Sequence, residues 1–421
     1  MPSSQSYEVT IVGAGLGGLT AALALRQQGL RVTVLERAPE LGEVGAGIQT
    51  APNASRILMR LGLRERLEEI HTEPQDQVRR RWKDGSIIGQ TPLGDRCKRD
   101  YNGPYWHYHR ADLHRVILDA CVDADGPGPV VQVRTGCEVV DVDRTDPARP
   151  TIVTAQGERH SADVVVGADG IQSRVRDAAG FRDTLRFSGE MAYRALIPGE
   201  RIAEDPATRF LLDRFHSTIW YGPDRHLVHY MIRGGEYLNV VAIVPCGPEL
   251  ERQWSAPATA EELAGAYPGW DDRVPAMLSK AESVSAWAMY HRLPDPVWVD
   301  GRIALLGDAC HAMLPYQAQG ASQAMEDAAV LAEELGAVTV ANAPEALTRY
   351  VSRRAKRAAM VQDASLRNME LYHLPDGPRQ EERDAKLRDF HGESAISYDL
   401  LWRGTPLRED DTESFSYQFI R

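Results

Sequence analysis

The chain has 421 residues, 43% hydrophobic and 26% charged. That is ordinary globular usage: it excludes wholesale disorder and predicts two or three domains or one large composite. Lys and Arg number 48 against 60 Asp and Glu, a formal charge of −12, which excludes nucleic acid or an anionic membrane as the main partner. An acidic substrate then needs only a local basic pocket. The five cysteines are odd in number and widely spaced, with no CxxC, so no disulfide framework or zinc knuckle is expected and a reduced, cytoplasmic chain is. No apolar run approaches the roughly 18 residues of a membrane span. The N-terminus has neither a basic region nor an apolar signal core.

In chain order, the first element is a short apolar strand with Val9, Ile11 and Val12. Gly13, Gly15 and Gly18 follow as G-x-G-x-x-G, and Leu19, Ala22, Leu23 and Leu25 continue at helical spacing to Gly29. A second strand over 32–35 ends at Glu36, followed by Arg37. Glycines at these places permit a tight turn, backbone approach to a pyrophosphate at the positive helix N-terminus, and close helix–strand packing. Glu36 is placed to accept from ribose hydroxyls. The pattern predicts a bound dinucleotide and does not separate NAD from FAD.

Residues 107–114, HYHRADLH, put Arg110 at a helix start. His107 and His109 share a face if the segment is a strand, but no third metal ligand accompanies them. Residues 162–176 run from a buried strand into Gly167-Ala168-Asp169-Gly170, then Ser173 and a helix. Residues 301–335 repeat the plan: a strand ends at Gly307-Asp308, a Pro-containing loop follows, and Gly320, Ala321 and Ser322 open a helix. Its unpaired N–H groups and dipole suit an anion.

Together these segments resemble the class A flavoprotein aromatic hydroxylases, nearest the salicylate 1-monooxygenase and 3-hydroxybenzoate 6-hydroxylase subgroup. The resemblance runs from Val9 to about Leu335. It implies an α/β fold like p-hydroxybenzoate hydroxylase: a Rossmann-like FAD-binding domain, an inserted, mainly antiparallel β-sheet substrate domain, and a C-terminal helix. It also implies FAD as cofactor, NADH or NADPH and O2 as co-substrates, and a small aromatic acid or phenol as substrate. Asp169 matches the short Asp-Gly motif and Asp308, His311, Pro315 and Gly320 the second FAD motif. Ala46, Gly47 and Gln49 fall in the loop beside the flavin ring, and Arg110 matches a flavin-contacting arginine. His226, before the turn Arg233-Gly234-Gly235, matches a histidine that acts on the phenol. Arg194, Tyr230 and Pro315 are weaker substrate candidates, with Gln317 the alternative to Pro315 if the alignment slips. The chain departs from the motif at Ala318, where many members carry Gly, and at Ser322, where many carry Asn.

The expected organisation assigns 1–75, 98–180 and 291–345 to the FAD domain and 76–97 and 181–290 to the substrate domain. A hairpin is predicted near 82–93, and 346–421 form a C-terminal helix and polar tail anchored by Trp402. Salicylate-type, decarboxylative hydroxylation is the expected reaction. The alternatives are 3-hydroxybenzoate 6-hydroxylase-type or tailoring hydroxylation and, from another class, a flavin reductase or redox sensor. An imidazole near its ordinary pKa of about 6.5 suits phenol deprotonation. A homodimer stays open, and no metal is expected.

Overall fold

In the computed structural model, which describes residues 7–42, 46–389 and 397–404, two sheets carry the architecture. The first has six strands in the order Val299–Asp300, Ile303–Leu305, Val164–Gly167, Glu8–Val12, Arg31–Leu35 and Gln132–Arg134. All neighbours are parallel except the short edge pair 299–300 with 303–304. Its central strands are continuous β-branched runs because helices cover both faces. Ile11 stands in register with Val166 and with Val34. The three chemistry-bearing turns therefore leave adjacent strands at the same sheet end. A separate three-stranded meander, Val139–Asp143, Thr151–Thr154 and Arg159–Ser161, lies within the stretch where the sequence showed only βα patterns.

The second sheet has eight strands, ordered 255–258, 283–292, 185–198, 237–245, 225–232, 216–222, 76–81 and 87–92. It is antiparallel except where Asp76–Arg81 lies parallel to His216–Gly222. The hairpin Asp76–Arg81/Ile87–Pro92 forms one edge. Side chains alternate across the sheet. Leu227 packs with Trp220 and Trp270 on one face, while His226 and Val228 point from the other into a pocket.

Helices and a small two-stranded sheet, Gly47–Thr50 with Trp106–His109, tie these parts together. The Arg233 guanidinium donates twice to the Asp112 carboxylate, at 2.7 Å each. The Gly47 N–H donates to Asn239 Oδ1 at 2.6 Å. Helix Ala343–Tyr372 buries a stripe of Leu347, Tyr350, Arg354, Ala358 and Val361, the i, i+3, i+4 pattern of a core-facing helix. Arg354 is tolerated in that stripe because its guanidinium donates to Asp327 and Glu326 of helix Gly320–Gly336, both at 2.7 Å.

The last segment corrects the sequence reading. Residues after 374 are not merely a polar tail. Helices Pro378–Asp389 and Tyr398–Arg403 pack on the molecule, and Trp402 is 2% exposed. The Arg357 guanidinium donates to the carbonyls of Leu400 and Leu401.

Candidate active site

The first glycine turn is built on close approach. A Cβ on Gly18 would lie 2.1 Å from the Gly13 carbonyl oxygen, and one on Gly13, at φ +104°, would lie 2.5 Å from the Ala168 oxygen. Gly15 differs. A Cβ there meets nothing within 4 Å. Gly15 is the N-cap of helix Leu16–Gln27, which has no side-chain cap and no acid in its first turn. Open space over unpaired N–H groups is what a pyrophosphate requires. Glu36 holds this turn, its two oxygens accepting from the N–H groups of Ala14 at 2.8 Å and Ala38 at 2.9 Å. Each oxygen keeps a second lone pair for a ribose hydroxyl. Arg37 beside it is exposed. Asp169 braces its own turn: it accepts from Ser173 Oγ and from the N–H groups of Arg174 and Val175, beside Ser173, the N-cap of helix Arg174–Ala178.

Across the cleft, the Arg110 N–H donates to the Ala46 carbonyl at 2.9 Å, and strand Gly47–Thr50 pairs with Trp106–His109. Glu43, Val44 and Gly45 of the same loop lie outside the described residues. Asp308 is solvent-accessible although protein surrounds it, so it opens onto an internal cleft. Burial raises its carboxyl pKa, while His311, Arg110, Arg292 and Arg194 pull it down. Burial also lowers both Arg110 and Arg194; Arg194 lowers Arg110 further, while Tyr230 and Asp308 pull Arg194 back up. Helix Gly320–Gly336 begins here without a side-chain cap. The buried Ser322 hydroxyl finds no partner among the described residues. An open cradle at Gly15, a carboxylate facing the cleft at Asp308, and an uncapped helix with an orphaned hydroxyl at 320–322 together fit a flavin dinucleotide.

Next to the cleft lies the pocket. His226 and Pro315 line it, as do Gln49 and Gln317. Arg194 and Tyr230, expected near a substrate, do not line it. Arg194 lies over the Trp287 ring at 5.3 Å. Tyr230 packs on His107 at 4.3 Å between ring centroids, and burial lowers the His107 pKa to about 3. His107 is thus a core residue.

The expectation of an ordinary imidazole at His226 is also corrected. The side chain is 1% exposed, and burial, then the neighbouring His373, depress its pKa well below 6.5. It is neutral at neutral pH. Behind it runs a chain the sequence did not reveal: His226 Nδ1 to His373 Nε2 at 2.8 Å, then His373 Nδ1 to Glu190 Oε1 at 2.9 Å. The Tyr316 hydroxyl donates to the other Glu190 oxygen. With the carboxylate as terminal acceptor, each imidazole donates through Nδ1, and His226 Nε2 keeps its lone pair. The partners come from positions 190, 226, 316 and 373, too far apart in sequence for any spacing rule to find.

A sequence model described as FAD binding domain matches residues 6–365. The chain belongs to this family. It is 39% identical over 389 residues to 3-amino-4-hydroxybenzoate 2-monooxygenase PtnB3 of Streptomyces platensis, covering 91% of this chain and 93% of that one. It is 38% identical over 375 residues to 3-hydroxybenzoate 6-hydroxylase 1 of Aquipseudomonas alcaligenes, covering 88% and 90%. A salicylate hydroxylase substrate complex superposes with a TM-score of 0.78 at 28% identity, covering 96% of each chain. The protein is an FAD-dependent aromatic monooxygenase that uses NAD(P)H and O2. Among the described residues, no helix is long and apolar enough to cross a membrane.

Proposed function

We propose that this enzyme hydroxylates a small phenolic aromatic acid, with His226 as the base that takes the phenol proton. The observation that carries this reading is a neutral imidazole on the wall of an aromatic-lined pocket, backed by a second imidazole and a carboxylate. FAD, when bound, would supply the redox chemistry: electrons from NADH or NADPH, one oxygen atom of O2 to the ring and the other to water. The chain's residues do the rest. Gly13, Gly15, Gly18 and Glu36 hold the dinucleotide end. Arg110, Asp308 and the N-terminus at Gly320, Ala321 and Ser322 would hold the flavin end, with Ala46, Gly47 and Gln49 beside it. A phenol is a richer nucleophile once deprotonated. His226 Nε2 accepts that proton as Nδ1–H passes its own towards His373 and Glu190. A buried imidazole alone is a weak base, and the chain behind it offsets that by placing the developing charge against a carboxylate.

For the ring position we carry the salicylate-type reading, in which the carboxylate leaves as CO2; the likeness to the salicylate hydroxylase complex supports it. The 3-hydroxybenzoate 6-hydroxylase relative supports a second reading in which the carboxylate stays. A panel of hydroxybenzoates and aminobenzoates, scored by NAD(P)H consumption and product mass, separates them: gain of one oxygen against gain of oxygen with loss of CO2. His226→Ala should slow hydroxylation by about 10²–10⁴-fold while FAD stays bound and reducible. Hydroxylation at the wild-type rate would remove His226 from the mechanism.

A further inference from the structure

Four arginines, Arg26, Arg79, Arg176 and Arg354, are the largest fully buried cations of the molecule. Two meet carboxylates and a third has its donors filled by a ring of carbonyls. Arg354 meets Glu326 and Asp327, and Arg176 has Asp295 at 3.7 Å. Arg26 donates to a set of backbone carbonyls, among them Ala120, Cys121, Asp123 and Gly126.

Among the described residues, Arg79 has neither a carboxylate nor a full set of acceptors. Its guanidinium is 1% exposed, and its acceptors are all neutral: Thr91 Oγ1 at 3.1 Å, Gln77 Oε1 at 2.6 Å and the Tyr398 hydroxyl. Its Nε finds no acceptor among the described residues. Arginine cannot escape by losing its proton, and a buried charge with only neutral partners is costly. Arg26 meets that cost with carbonyls on its guanidinium, whereas Arg79 leaves its Nε unfilled among the described residues.

The surroundings say what. Arg79 lines the same pocket as His226. The walls between them include Tyr105, Tyr316, Tyr372 and Trp402, flat apolar faces suited to a ring. Two further pocket groups, the Ser217 hydroxyl and the Gln317 amide, are buried without partners among the described residues. Strand register fixes the spacing. Arg79 stands opposite Ile219, which stands opposite Val228, two residues beyond His226. Two strand spacings and two residues put the Arg79 and His226 Cα atoms about 12 Å apart. Both side chains project from that row into the space between.

We propose that Arg79 is the receptor for the carboxylate of the substrate, so that the pocket selects an aromatic anion and presents its other end to His226. This deepens the function proposed above and rests on it for the identity of the ring. The C-terminal helix Tyr398–Arg403 is part of the device. The Tyr398 hydroxyl bonds both Arg79 and Gln77, and Trp402 stacks on the Tyr398 ring at 4.0 Å. The helix therefore closes the pocket over the cation. A charge-assisted pair with a carboxylate can use the Nε edge that no protein acceptor fills.

The test is binding, not turnover, on the FAD-loaded full chain. Salicylate and 3-hydroxybenzoate are titrated against salicylamide and 3-hydroxybenzamide, with calorimetry and the flavin absorbance change as readouts. The wild type should bind each acid at least about tenfold more tightly than its amide, the ratio of one charge-assisted hydrogen bond over a neutral one. Arg79→Met should bring that ratio close to one while leaving amide binding within a few-fold, and Arg79→Lys should restore part of it. Equal binding of acid and amide to the wild type overturns the proposal without any variant, which covers the case in which Arg79→Met fails to fold. An undiminished acid preference in a folded Arg79→Met overturns it as well. Failure of every acid to be hydroxylated would instead remove the proposed function, because the acid-to-amide ratio is read without turnover.

Discussion

The cofactor cradle and the substrate pocket are built from different materials. The cradle is mostly backbone: Gly13, Gly15 and Gly18 within six residues, uncapped helix N-termini, and Asp308 at a strand end. The pocket is side chains drawn from widely separated segments: Arg79 from an edge hairpin, His226 from the middle of the large sheet, Tyr316 and Gln317 from a loop, and Trp402 from the last described helix. A site made of backbone must be written locally, because only a local run of small residues frees the main chain. A site made of side chains can be collected from anywhere the fold brings together.

The strongest way to break this contrast lies within the first glycine turn. Gly18→Ala puts a methyl 2.1 Å from the Gly13 carbonyl. Helix and strand must separate, so we expect insoluble protein or a loss of at least about 1–3 kcal/mol, the usual cost of overpacking. Gly15→Ala puts the same methyl into open space at φ −72°, which alanine adopts freely. It should fold with an unchanged denaturant midpoint and emerge colourless, or with greatly weakened FAD binding. A Gly15→Ala protein that holds FAD as tightly as the wild type would show that the open space is not the pyrophosphate site.

The contrast explains what could be read in advance. The glycine turns, Glu36, Arg110 and Asp308 follow from short patterns with a physical reason at each position. The strands at 225–232 and 237–245 carry alternating side chains, which puts His226 and His229 on opposite faces. Arg79 carried no signal: in Arg79-Arg80-Arg81 nothing in the sequence marks which arginine is buried. Arg81 reaches Asp376 and Asp384, and Arg80 lies over the Trp220 ring. His373 and Glu190 were equally silent, since their chemistry exists only once a helix end meets a strand. Asp169 was legible as a motif residue, but its bracing of the turn before helix Arg174–Ala178 needed coordinates to see.

A sharper contrast comes from histidines. His107, His226 and His229 in and against the large sheet have pKa values depressed by burial, to about 3 for His107 and His229. His311, on the cofactor side, is raised well above 6.5: burial opposes the shift, but Asp327, at 2.5 Å, overcomes it. For a depressed group the unfolded state binds the extra proton, so its contribution is intact above about pH 6.5 and falls as pH drops towards the folded value. His311 has the opposite sign, with its contribution intact below about pH 6.5 and lost as pH rises through its raised value. Acid should therefore weaken the fold, with His107 and His229 each adding about 1.4 kcal/mol per pH unit between roughly pH 6.5 and 3. His229→Gln keeps an acceptor for the Trp220 indole N–H, which His229 Nε2 receives at 3.1 Å, but cannot titrate. Urea midpoints between pH 7 and 5 should fall less steeply in that variant, and an unchanged slope would mean His229 is not held neutral.

The smallest expected effect concerns the loop that joins the two sites. Ala318 lines the pocket between Gln317 and the helix that begins at Gly320. It sits at φ +52°, ψ +36°, the left-handed region. An L side chain there costs roughly 1–2 kcal/mol, a cost glycine would not carry. Ala318→Gly removes that strain but gives the unfolded chain more freedom, worth about 0.5–1 kcal/mol in the other direction. The net gain should lie between about 0 and 1.5 kcal/mol, read as at most a small rise in the urea midpoint at constant slope. The same change loosens the loop carrying Pro315, Tyr316 and Gln317, so acid binding should weaken slightly even as the fold gains. If stability and binding both improved, alanine's strain would be serving neither site. If binding alone fell, the methyl group would be holding Gln317 and its neighbours against the ring, and the loop would belong to the pocket's side-chain design as much as to the backbone design of the cradle.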